Sequence, residues 1–125
     1  MMSQDGQFVW ISPKERKPSY RSYSEYHEHN GKWIIYGQKD FIEGLGSRML
    51  GLVGKDDILK AKFTRNPALD VPEGYEPGVH ALIVYCDDRN NMSVKKRLEE
   101  LGVEEMVWKY DRETMEEVMR SKVHE

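Results

Sequence analysis

Val79-His80-Ala81-Leu82-Ile83-Val84-Tyr85-Cys86 is the most apolar run of the chain. It reads as the central strand of a sheet, because a strand covered on both faces shows a near-continuous hydrophobic run rather than alternation. Upstream lies Leu59-Lys60-Ala61-Lys62-Phe63-Thr64-Arg65, where apolar and cationic residues alternate. Successive side chains of a strand point to opposite faces. Leu59, Ala61 and Phe63 therefore share a core-facing side, and Lys60, Lys62 and Thr64 share the other. Antiparallel pairing of the two strands brings His80 close to Thr64 and Arg65.

Working outward, Phe8-Val-Trp10-Ile-Ser12 is a short β-type run ended by Pro13, and Lys32-Trp33-Ile-Ile-Tyr36 follows the turn dipeptide Asn30-Gly31. Between them, Tyr20, Tyr23 and Tyr26 recur every three residues, a spacing that suits one side of a short helix as well as a charged loop. Phe41, Leu45, Met49 and Leu52/Val53 recur at helical spacing, with Gly54 as the stop. A helix from about Met92 to Leu101 presents Val94, Leu98 and Leu101 and is capped by Gly102. Glu105 to Tyr110 reads as a strand, and Asp111 as the N-cap of a last helix bearing Met115, Val118 and Met119.

The pattern describes one α+β domain over 1–125, with 13–30 and 66–78 as long loops. The split β-α-β units give a two-layer sandwich of a mainly antiparallel sheet backed by about three helices, a ferredoxin-like arrangement being the alternative. The sequence sets no oligomeric state.

With 125 residues, 33% of them charged and a net charge of −3, the chain is long enough for a real core. Its overall charge offers nothing to nucleic acid or anionic membrane, so an anionic partner needs a local patch. Cys86 is the sole cysteine, which excludes an internal disulfide and a cysteine-only zinc site. No signal-type hydrophobic segment or membrane-length apolar run is present, and a cytoplasmic location is expected. The glycines at 44, 46, 51 and 54 match neither a dinucleotide fingerprint nor a P-loop, so no cofactor is implied.

Asn30-Gly-Lys32-Trp33-Ile-Ile, the glycine-bearing helix, Leu59-Lys-Ala-Lys62, His80-Ala-Leu-Ile-Val-Tyr85-Cys-Asp-Asp88 and Arg97-Leu-Glu-Glu-Leu-Gly102 follow one another in a familiar order. Over about Trp33 to Tyr110 the chain resembles the family named after a basophilic-leukaemia-expressed protein, whose prokaryotic members are labelled phosphothreonine lyase domain proteins. The resemblance implies a fold similar to the messenger-RNA cap-binding initiation factor, a curved antiparallel sheet backed by helices. The lyase label implies a lysine base, a histidine acid and cationic phosphate ligands. Where such lyases place lysine and histidine two apart on one strand, this chain has Lys60 and Lys62.

Lys60, Lys62, Arg65 and His80 suit a phosphate, since arginine grips it bidentately and lysine adds a point charge. The same residues also describe an ordinary solvated strand face. Trp33 and Trp108 are of a type that stacks a base, or that simply packs a sheet. Arg16, Lys17 and Arg21 interleave with the tyrosines as in single-strand binders. His27-Glu28-His29 and Asp87-Asp88 offer donor atoms without the spacing of a zinc motif, and no metal site is expected. The expected function is binding of a phosphorylated small molecule, an RNA end or a phosphopeptide on the sheet face. A phosphothreonine-lyase-like enzyme and a protein-interaction module are the alternatives, with no membrane partner in any of them.

Overall fold

The computed structural model describes residues 2–14, 20–55, 57–69 and 71–123, without the side chains of 118 and 120–123. Arg16, Lys17 and the Val118 side chain lie outside the described set. Six strands, β1 (Met2–Gln4), β2 (Phe8–Ile11), β3 (Asn30–Gly37), β4 (Lys60–Thr64), β5 (His80–Asp87) and β6 (Val107–Tyr110), form one sheet in the order β1-β2-β4-β5-β3-β6. Every neighbouring pair is antiparallel. Among the described residues four α-helices accompany it: α1 (Tyr23–His29), α2 (Lys39–Met49), α3 (Asn91–Glu100) and α4 (Asp111–Val123). The class is α+β, with a curved, open sheet.

The segment β3-α2-β4-β5-α3-β6 has the strand order of the ferredoxin-like split β-α-β motif: β5 separates β3 from β4, and β6 closes the far edge. β2 and the β1 strand, which the polar N-terminal sequence does not announce, extend the β4 edge as a hairpin. β5 occupies a central position between β4 and β3, as its apolar run requires.

The core lies on the face carrying Val9, Ile11, Trp33, Ile35, Ala61, Phe63, Leu82 and Val84, covered by Ile42, Leu45 and Met49 of α2 and Val94 and Leu98 of α3. The α2 face is rotated from the expected one. Phe41 is 42% exposed and Ile42 takes its place in the core. The cause is Gly46, where a Cβ would stand 2.6 Å from Phe63 Cδ1, so the helix can approach β4 only along its glycine edge. Gly102 adopts a φ of +101° after α3, the left-handed conformation expected of that cap.

Segment 13–30 contains α1, the helical form of the tyrosine spacing, N-capped by Ser22 Oγ, which accepts from Glu25 N at 3.1 Å. Segment 66–78 holds no helix or strand among its described residues. Helix α4 crosses the other face of the sheet at its β3–β6 end, where Lys32 donates to Thr114 and Lys109 donates to Glu117. No helix among the described residues is long and apolar enough to cross a membrane.

Candidate anion-binding face

The β4 alternation holds from Lys60 to Phe63, whereas Thr64, expected on the solvent side with the lysines, is buried against His80. Ala61 and Phe63 are buried in the core, while Lys60 and Lys62 project from the opposite face. The register then decides their neighbours. Lys60 pairs with Tyr85, which pairs with Lys32 on its other side, and Lys62 pairs with Trp10 and Ile83. Cross-strand neighbours on one face touch, so three lysines from two strands converge around one tyrosine ring.

The ammonium nitrogens of Lys60, Lys32 and Lys62 lie 4.6, 5.7 and 5.9 Å from the Tyr85 ring centroid. Lys62 is also 4.1 Å from the Phe8 centroid and 4.7 Å from that of Trp10, and Lys60 is 5.3 Å from Trp10. Cations over ring faces gain about 0.5–2 kcal/mol each, more as water is withdrawn. Trp10 and Tyr85 are near-parallel, with centroids 6.3 Å apart. Asp5 holds Trp10 in place: its carboxylate accepts from the Gln7 and Phe8 amides and, at 2.7 Å, from the indole Nε1.

Among the described residues, one carboxylate is bonded within this group of three cations. Asp111, at the start of α4, accepts from Lys32 Nζ at 3.3 Å and from the Tyr26 hydroxyl at 2.7 Å. This carboxylate therefore ties α4, β3 and α1 together instead of serving the helix cap expected of it. Burial pushes the Asp111 carboxyl up, but Tyr26 and Lys32 outweigh it and hold it below the ordinary carboxylate value. Lys32 is 5% exposed, and burial lowers its pKa despite Asp111. Lys62 is lowered by burial and then by the like charges of Lys32 and Lys60. Among the described residues, Lys60 and Lys62 have ring faces as partners and no carboxylate within ion-pair distance.

The other expected site residues go elsewhere. His80 does meet Thr64: its Nδ1 lies 3.3 Å from both Thr64 Oγ1 and the Thr64 carbonyl, and the residue is buried. It stands three residues along β5 from Ile83, the partner of Lys62, a separation of about 10 Å. Arg65 is exposed, with Nη1 donating to the Asp5 carbonyl at 3.2 Å. Trp33 and Trp108 pack edge to face on the core side, 5.2 Å apart, and Trp33 Nε1 donates to the Asn91 carbonyl. They are separated from Lys60 and Lys62 by the sheet itself. Phe8, Trp10, Lys32, Tyr85 and Asp111 read from the sequence as strand, core or helix-cap residues and not as members of the site. Alternation within Lys32-Trp33 already places those two on opposite faces.

At the β5 terminus, His29 Nδ1 lies 2.8 Å from Asp88 Oδ1, and donor atoms of His29, Asp87 and Asp88 fall within 4.8 Å of one another. Each of the two carboxylates already has hydrogen-bond donors from the protein. Arg89 donates to both Asp87 oxygens at 2.6–2.8 Å, lowering that carboxyl, and Tyr110 donates to Asp88 Oδ2. We read this group as a clamp joining α1, β5 and β6. A neighbouring cleft of about 340 Å³ is lined by Tyr20, Asp57, Leu59, Asp87, Arg89 and Asn90.

Comparison with models of known protein families, with curated proteins and with solved structures finds no significant match.

Proposed function

We propose that this domain binds a phosphate-bearing ligand on the sheet face opposite the core, beside the part that α4 covers, with the half-exposed Lys60 and Lys62 as the principal phosphate ligands and Lys32 as a fixed charge behind them. One observation carries the reading: among the described residues, three ammonium groups within 6 Å of one ring centroid have a single carboxylate bonded to any of them. Like charges held together away from water repel, and an incoming dianion relieves that repulsion while gaining charge-assisted hydrogen bonds. Half-buried Trp10 and Phe8 beside the lysines favour a ligand with a planar ring near its phosphate, so a nucleotide or an RNA end fits better than a phosphopeptide. An RNA end is also the form that the resemblance to the cap-binding factor implies. Lyase chemistry has less support, because His80 is bonded to Thr64 at a distance from Lys62.

The test is titration of the protein with a nucleoside monophosphate, the matching nucleoside and a phosphothreonine peptide, following amide shifts and tryptophan fluorescence. The monophosphate should shift residues 8–10, 60–62 and 85. Lys60→Ala and Lys62→Ala should each weaken binding about tenfold, the worth of one hydrogen bond to a charged group. Trp33→Phe should leave it unchanged. Stronger binding of the peptide would replace the nucleotide reading, and no shifts on β2, β4 and β5 with any of the three would end the proposal.

A further inference from the structure

The three lysines are not equivalent. Lys32 is committed, donating to Thr114 Oγ1 at 2.7 Å and to Asp111, and it is nearly inaccessible. Lys60 lies over two rings. Lys62 alone faces three, those of Phe8, Trp10 and Tyr85, while remaining half-exposed. An amine partly withdrawn from water and crowded by two other ammonium groups has the environment that makes lysine a nucleophile, because burial and like charge favour its neutral form even though the ring faces favour the ammonium.

We propose that Lys62 is a nucleophilic amine that condenses with small aldehydes, making this face a carbonyl-capturing site. The lone pair of neutral Nζ attacks the carbonyl carbon and a C–N bond forms. The two amine protons then leave with the carbonyl oxygen as one water, giving an imine with no oxidant or reductant required. The groups facing Lys62 are Lys60 on its own strand, Lys32 of β3, Tyr85 of β5, Asp111 of α4 and Asp5 in the β1–β2 turn. Burial and then the two lysines lower its pKa against the opposing pull of Asp111 and Asp5, while the three ring faces favour the ammonium. The nucleophilicity does not depend on the phosphate reading. A preference for aldehydes that also carry phosphate does rest on it, through Lys60.

Two probes separate these claims. The full chain is treated near neutral pH with a limiting amount of pyridoxal or of pyridoxal 5′-phosphate, reduced with borohydride to trap the imine, and mapped by peptide mass. Both aldehydes should label Lys62 ahead of the exposed Lys39, Lys55 and Lys96. That selectivity should persist at lower pH than labelling of the exposed lysines. Lys62→Arg, which keeps the charge, should lose most of the label. A preference for pyridoxal 5′-phosphate that disappears in Lys60→Ala supports the anion site as well. Equal labelling of Lys62 by both aldehydes upholds the nucleophile and counts against the phosphate preference. Label spread over Lys39, Lys55 and Lys96 with Lys62 bare, or label that follows Lys60, overturns the proposal.

Discussion

Asp111→Asn removes the one carboxylate bonded within the lysine cluster while keeping the volume and an acceptor for Tyr26. The Lys32 ammonium then stays in a site 5% exposed to solvent, retaining the Thr114 bond and losing its counter-charge. Breaking a buried ion pair from one side costs about 3–5 kcal/mol. The surviving Thr114 bond and the 20% exposure of the Asp111 side chain place this case at the lower end, about 3 kcal/mol. For a domain of this size that is a fall in Tm of roughly 10 °C. The sign of the pH dependence follows from Lys32. Without Asp111, burial lowers its pKa further in the native state, so between that value and the ordinary lysine value of about 10.4 the unfolded chain binds more protons. The variant's stability therefore rises with pH through that window, and its deficit against the parent narrows. At the acid end, the parent's carboxyl is held below the ordinary value of about 3.9. Its contribution is complete above that value and is lost as pH falls through the native one, where the deficit closes again. Urea denaturation followed by tryptophan fluorescence at several pH values measures all three regimes. A loss under about 0.5 kcal/mol at neutral pH, the range of an ordinary surface change, would refute the claim that Asp111 compensates a buried lysine.

Two further outcomes are expected from the core. Gly46→Ala should destabilise by about 1 kcal/mol in urea, since contact with Phe63 costs more than the helix propensity gained, whereas Gly44→Ala in the same helix meets nothing within 4 Å and should stabilise by about 0.5–1 kcal/mol. Equal effects would mean that Phe63 moves aside. The Cys86 thiol, fully buried and pushed up to about 12 by burial and then by Asp87, should resist iodoacetamide at mildly alkaline pH and react only at the rate of unfolding; rapid labelling of the folded protein would show that β5 opens locally.

Local periodicity carried much of the fold. The two faces of β4, the central place of β5, the Val94/Leu98 stripe of α3 and the Gly102 cap all depend on how neighbouring residues alternate or wind, a property of the chain over a few residues. The α2 face could not be read the same way, because Phe41 and Ile42 are equally apolar and the choice between them is made by a ring on another strand. The polar β1 strand has no pattern of its own and exists through its pairing with β2.

The candidate site divides along the same line. Alternation along the chain already places Lys60 and Lys62 on one outward face of a strand and His80 at the start of the strand beside Thr64. Which aromatic rings those lysines meet depends on how distant strands align. Trp33 and Trp108 fall on the packed side, while Phe8, Trp10 and Tyr85 reach the lysines through strand register. Asp111 reaches Lys32 from 79 residues away through the docking of α4. The reason is that alternation follows from covalent geometry, whereas register and helix placement minimise exposed apolar area over the whole chain at once.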